Sequence, residues 1–309
     1  MSFKKNLKYL LTASFALAIT LLVTGSASAT TFIVTSTADS GAGTLREAID
    51  NANSNPGADQ INFNITGGGL HTITLASPLT GITGQTTING LSQTGSSCSV
   101  PRIAINVNGS YNPIYFATGA TASQVNGLAI YGAPDNGYAL SIESADTVVR
   151  CNFFGTTDGL TSINPGINRD WVNLLGDNAT IGGNSSSDRN VFLNSGGNVA
   201  ALVNDSDVSS ITIKNNYVGV DITGANYVVG PSIGFDFYTV ITSAIIEDNV
   251  IATSGGPGIN FAFVSSGSSG VVVRGNMIGT DASGMVGFAS TDKGISFVGS
   301  FIAPLIEDN

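Results

Sequence analysis

One residue recurs in one frame through the second half of this 309-residue chain. The phrase is an aliphatic residue, two variable ones, asparagine, one variable residue and another apolar one. Copies stand at 149–154, 213–218, 246–251 and 273–278, and Ile306 to Asn309 begins a further one. A weaker copy at 187–192 lacks the first aliphatic. The asparagines are Asn152, Asn190, Asn216, Asn249, Asn276 and Asn309, at intervals of 38, 26, 33, 27 and 33 residues. The longer intervals carry insertions, Gly155-Thr156-Thr157-Asp158-Gly159, Gly219-Val220-Asp221-Ile222-Thr223-Gly224 and Gly279-Thr280-Asp281-Ala282-Ser283-Gly284. Each insertion begins three residues after Asn152, Asn216 or Asn276. The higher-order unit is therefore two turns, 64 residues in the first instance and 60 in the second.

Periods of ~20–50 residues belong to stacked repeats, in which no unit buries its own apolar face alone. A turn of 26 or 27 residues with β-branched segments suits three short strands joined by bends. The expectation is an all-β, right-handed parallel β-helix with coils ~4.8 Å apart. Asparagine suits a bend in such a coil, because it tolerates the left-handed backbone region and its amide bonds to amides above and below. These six asparagines are thus predicted to form a ladder. A propeller blade needs ~40–45 residues for its four strands, more than these intervals allow.

Charged residues make up only 10% of the chain, with 39 Gly and 29 Asn, which argues against helical bundles. A net charge of -10 offers no surface to nucleic acid, and a 42% apolar content excludes an acidic disordered chain. Residues 1–29 read as an export signal: Lys4, Lys5 and Lys8, an apolar run from Leu10 to Val23, then small residues ending at Ala29. The alternative is an uncleaved membrane anchor. No window beyond residue 30 approaches a transmembrane span, so the mature chain is expected to be secreted or on the cell surface. Export permits a disulfide between Cys98 and Cys151, though two buried thiols fit the sequence equally well.

Residues 30–59 read as an N-terminal cap, a strand at 31–35 followed by a short amphipathic helix. Thr44 and Glu47 have capping-box spacing, and Leu45, Ala48, Ile49 and Ala52 give one apolar face. Such a helix would lie over the open end of the strand stack. Arg46 and Glu47 read as its solvated face rather than as an acid/base pair. Residues 60–309 read as the coils. They end on a ladder asparagine with no polar cap behind it, which reads as truncation at the C-terminus.

The segment 31–40 with Gly43-Thr44-Leu45-Arg46-Glu47-Ala48-Ile49 resembles the amino-terminal signature of bacterial extracellular right-handed parallel β-helix proteins, named for a C-S-L-R-E-A-type motif. The segment 55–59 and the later Asn-x-Ile-Gly-Thr-Asp phrases extend the resemblance over nearly all of 30–309. Gly43-Thr44 stands where Cys-Ser would be, so no role tied to that cysteine carries over. The resemblance implies a pectate-lyase-like superhelix of adhesin or carbohydrate-associated type.

Catalytic signals are sparse. The single histidine, His71, alternates onto the same strand side as Ile73 and Leu75 and reads as packed. Arg150, Lys214 and Arg274 stand two residues before ladder asparagines, and Glu247 and Glu307 share that slot on other coils. They read as a column of alternating sign. Asp221 and Asp281, and Asp205 with Asp207, are candidate calcium ligands without a calcium-repeat spacing, and no other cofactor is implied. Trp171, beside Arg169 and Asp170, would stack on a sugar if exposed and join the core if buried. The expected function is adhesin-like contact with an extracellular glycan or cell-surface partner, without a catalytic site. The alternatives are a polysaccharide lyase or hydrolase acting on acidic glycans, and a structural spacer.

Overall fold

The computed structural model describes residues 28–109, 113–132, 137–163, 170–193, 199–203, 208–288 and 293–309, leaving aside the side chains of Val199 and of 263–266. The segment read as an export signal lies outside them apart from Ser28 and Ala29. No helix among the described residues is long and apolar enough to cross a membrane.

Short β-branched segments separated by Gly, Asn and Ser give short strands, and every pairing between them is parallel. In each coil the chain runs along a first face, then a second, then a third. The first face stacks Asp59–Phe63, Thr86–Asn89, Gln124–Asn126, Val148–Arg150, Thr180–Gly182, Val208–Lys214, Ile241–Glu247, the second half of Ile259–Arg274, and Leu305–Glu307. The second runs from His71–Thr74 through Ile103–Asn106, Leu128–Tyr131, Phe153–Phe154, Val191–Phe192, Tyr217–Val218 and Val250–Ile251 to Met277–Ile278. The third runs from Ile114–Phe116 through Tyr138–Ile142, Asp170–Leu174, Val199–Val203, Ile233–Phe237 and the first half of Ile259–Arg274 to Ile295–Ile302. The architecture is an all-β, solenoid-like stack of parallel coils.

The core is the interior of that stack. Ile61, Ile88, Val125, Val149, Ile181, Ile213, Ile246 and Val273 are in register on eight successive coils, each at most 1% exposed. Burying one such side chain stabilises by about 1.5–3 kcal/mol, and one column repeats that gain coil by coil. Aromatic rings follow the same spacing: Phe154 stacks on Phe192 at 4.7 Å, and Phe261 lies between Phe237 at 4.7 Å and Phe297 at 4.6 Å. These distances match the strand separation of a sheet.

The helix α1 (Leu45–Ser54) packs onto the first strands with Leu45, Ala48, Ile49 and Ala52 buried. The Thr44 hydroxyl accepts the Glu47 amide, while the Glu47 carboxylate accepts from Gly43 N rather than from Thr44 N. The reciprocal half of the box is thus shifted by one residue, because the Thr44 amide follows a left-handed glycine, Gly43 (φ +72°). Arg46 is not merely solvated. Its guanidinium pairs with Asp39 at 2.7 Å and donates to the carbonyls of Ser77 and Pro78.

One detail differs from the sequence reading. At five of the six bends the left-handed residue is the one before the ladder asparagine, namely Cys151, Asn215, Asp248, Gly275 and Asp308, with φ between 55° and 65°, whereas Arg189 before Asn190 has φ -57°. Asn, Asp and Gly are the types that accept this region most readily. Turning there leaves the following asparagine free to point inward.

Candidate functional site

Five of the six ladder asparagines are placed by that bend. The backbone N and Nδ2 of Asn152 both donate to Oδ1 of Asn190, at 2.9 and 3.2 Å. The same pair of bonds joins Asn190 to Asn216, Asn216 to Asn249, Asn249 to Asn276, and Asn276 to Asn309. Each Nδ2 from Asn152 to Asn309 also donates backwards to a core-residue carbonyl, from Val125 through Val273. A carboxamide has two hydrogens and two lone pairs, and from Asn190 to Asn276 all four are used. The first five of these asparagines are fully buried, so the ladder is scaffold rather than ligand surface.

The insertions are small hairpins. Val220 bridges Tyr227 and Thr280 bridges Gly287, both antiparallel. They stack on one another: Ile222 N donates to Gly159 O, and Ala282 N to Gly224 O. A hairpin is two strands wide, which matches two coil rises of ~4.8 Å and accounts for the two-turn period. Beneath them lies a second apolar cluster on the outside of the second face, including Ala129, Phe153, Val191, Tyr217 and Val250. The insertions cover it.

The insertion carboxylates hold these hairpins together. Asp221 accepts from the Thr223 hydroxyl and amide, the Ala225 amide and the Asn226 carboxamide. Asp281 accepts from the Ser283 hydroxyl and the amides of Met285 and Val286. Burial alone would raise Asp221, but these donors outweigh it and pull its pKa below the usual carboxylate value. The Ser283 hydroxyl and the amides lower Asp281 likewise. Among the described residues no three His, Cys, Asp or Glu side chains gather as metal ligands. Asp205, Asp207 and Arg169 lie outside those residues.

The column on the first face alternates in sign. Lys214 Nζ lies 2.6 Å from Glu247 Oε2, Arg274 pairs with Glu247 Oε1, and Arg274 Nη1 is 3.6 Å from Glu307. Glu247 is only 5% exposed, so its pairs are more enclosed than a surface column implies. Burial raises its pKa, but Lys214 and Arg274 outweigh that and leave it lowered. Asn62, Asn89 and Asn126 continue the column towards the N-terminus. The asparagine frame gave no sign of them, since they fall outside its spacing.

Trp171 is 1% exposed, so the sugar-stacking role considered for it does not hold. It occupies a corner of the third face, 6.1 Å from Phe154, in a row whose neighbouring residues are the small Ala139 and Ala200. The row leaves room for one indole. Among the described residues His71 Nε2 is buried without a hydrogen-bond partner, beside the core position of Ile103. An acid the sequence pattern did not single out is Asp236, between Phe235 and Phe237 and 2% exposed. Burial raises it to about 6, against hydrogen bonds from Asn260 (2.9 Å) and Tyr238.

Cys98 and Cys151 are joined, with Cα atoms 4.9 Å apart. Cys98 lies in the connection after Thr86–Asn89, and Cys151 two coils further along the stack. The crosslink holds that connection upright along the corner between the first and second faces. Above it opens a cleft of about 300 Å³ lined by Cys98, Ser99, Ser186, Ser187, Arg189 and Ile222. Three segments distant in sequence build it, which is why no linear motif announces it. No protein-family model matches the chain, and no curated protein matches it.

Proposed function

We propose that the chain is an exported right-handed parallel β-helix that displays its lateral faces to an extracellular glycan, as an adhesin-like binding protein. Parallel strands joined by crossovers favour the right-handed sense. The N-terminal signature and the resemblance it carries support export and surface display. The observation that carries the binding reading is the lateral cleft: serine hydroxyls and an arginine set beside an apolar side chain, on walls held by a disulfide and a rigid stack. Convergent polar groups in a concave site are what small-ligand recognition uses. The insertion carboxylates, by contrast, are occupied by their own loops.

The test is a glycan array probed with the folded chain beginning at Thr30, together with binding to intact cells. Specific retention on a glycan subset is expected; no retention on glycans or cells overturns the proposal.

A further inference from the structure

Arg189, like Arg102, differs from most cations of the described coils in having no carboxylate within 4 Å. Arg46, Arg150, Lys214 and Arg274 each face a carboxylate within 4 Å. Among the described residues Arg189 makes no ion pair. It is held instead from two other sides: Nε donates to the Asn215 carbonyl at 3.1 Å, and the guanidinium carbon lies 3.6 Å above the centre of the Tyr217 ring. Such stacking fixes the plane of the guanidinium and leaves its charge uncancelled. The neighbouring acid, Asp188, is spent: Oδ1 pairs with Arg150 at 3.0 Å, and Oδ2 accepts from Ser185 N and Oγ. Half-buried, oriented and without a counter-ion, Arg189 lines the cleft together with the hydroxyls of Ser99, Ser186 and Ser187.

We infer that this cleft receives the carboxylate of a single acidic sugar, with Arg189 binding the carboxylate, the serines the ring hydroxyls and Ile222 the apolar edge of the ring. A carboxylate is the planar acceptor that a guanidinium fork matches. The volume is at the small end of the ~300–1,000 Å³ found for ligand pockets, which suits one sugar residue rather than a long chain. A chain at -10 repels a polyanion far more strongly than a short glycan with one acidic terminus. Screening over ~8 Å in physiological salt leaves the bound carboxylate under local control by Arg189. The disulfide becomes part of the site, because it holds Cys98 and Ser99 against the wall formed three to four coils away.

This inference rests on the glycan-binding reading, and titration calorimetry with three probes separates the two. The probes are methyl glucuronide, methyl glucoside and acetate, against the folded chain, Arg189→Gln, Arg189→Lys and the double variant Cys98→Ser/Cys151→Ser. Glucuronide is expected to bind, and glucoside and acetate at least tenfold more weakly. Arg189→Gln should lose about 10–100-fold in affinity, the range of a charged hydrogen-bonded contact, with Arg189→Lys in between. The cysteine variant should weaken binding while circular dichroism reports an intact stack. Equal binding of all three probes, or wild-type affinity in Arg189→Gln, overturns the inference. Array glycans that bind Arg189→Gln unchanged would overturn it and leave the broader function standing. Silence of every probe and the whole array would remove both.

Discussion

Asn216 shows what one side chain does in a stack. Its Oδ1 accepts the backbone N and Nδ2 of Asn190, and its own Nδ2 donates to Asn249 and to the carbonyl of Ile181. Asn216→Ala strands two buried donors on one coil and removes a donor from two acceptors on others. Leaving a buried polar group unmatched costs about 1–3 kcal/mol, so a loss of at least 3 kcal/mol in denaturant unfolding is expected. Asn309, at the exposed end of the ladder, should lose less when changed to Ala. Asp236 gives the opposite kind of dependence. Its carboxyl titrates near 6 in the folded chain and at the ordinary 3.8 when unfolded, so the folded state holds the proton more tightly. The stability tied to this proton is complete below the unfolded value and is lost as pH rises through about 6. Asp236→Asn keeps an acceptor for Asn260 and carries no charge. It should therefore raise the melting temperature relative to wild type at pH 7.5, by the equivalent of about 1–3 kcal/mol, and change it little at pH 3.5. An equal effect at both pH values would show that Asp236 carries no buried charge.

At the scale of elements, the insertions make the stack wider than its coils. Phe153 points away from the coil interior, yet it is fully buried under the first insertion and beside Val191. A residue on the outer side of an uncovered sheet tolerates substitution within about 0.5 kcal/mol. Phe153→Ala should instead cost about 3 kcal/mol in chemical denaturation, the toll of emptying a core site. How much of this was legible in the sequence follows from where each signal lies. The repeat, its two-turn period and the helix over the first coil were readable, because a register error would move a whole aliphatic column out of the core. The early coils hid themselves: His71, Ile103 and Leu128 fill the ladder position there, and the Leu128 amide donates to Asn152 Oδ1, so the asparagine frame starts three coils late. The purpose of the insertions was hidden too, since Phe153 and Tyr217 look like any apolar residue of the repeat until the hairpins are seen above them. Trp171 was undecidable because its environment depends on Ala139 and Ala200, each about thirty residues away. Arg189 was invisible as a site for a related reason: its freedom comes from Asp188 being taken by Arg150 on another coil.

The described coils form a one-dimensional array, and the two ends of this chain are closed differently. At the first coil, α1 lays Leu45, Ala48, Ile49 and Ala52 over the core. At the last, Ile306 sits in register with Val273 but is 46% exposed, where the same position on earlier coils is closed to solvent. Val298, Ile302 and Leu305 are exposed beside it. In a stack where each unit contacts only its neighbours, an interior coil must break two interfaces to open and the last coil only one. Opening therefore costs least at Leu305–Glu307 and Ile295–Ile302, more at Ile241–Glu247, and most towards the middle. Native-state hydrogen exchange on this chain should show amide protection rising from Ile306 through Ile246 and Ile213 to Ile181 and Val149. It should remain high from there to Ile61, because the helix closes that end and the Cys98–Cys151 crosslink ties three coils into one unit. Protection that falls at both ends alike would mean that α1 does not act as a lid, and uniform protection would mean that the stack opens as a single body. A one-sided gradient is the result that coil-by-coil burial requires.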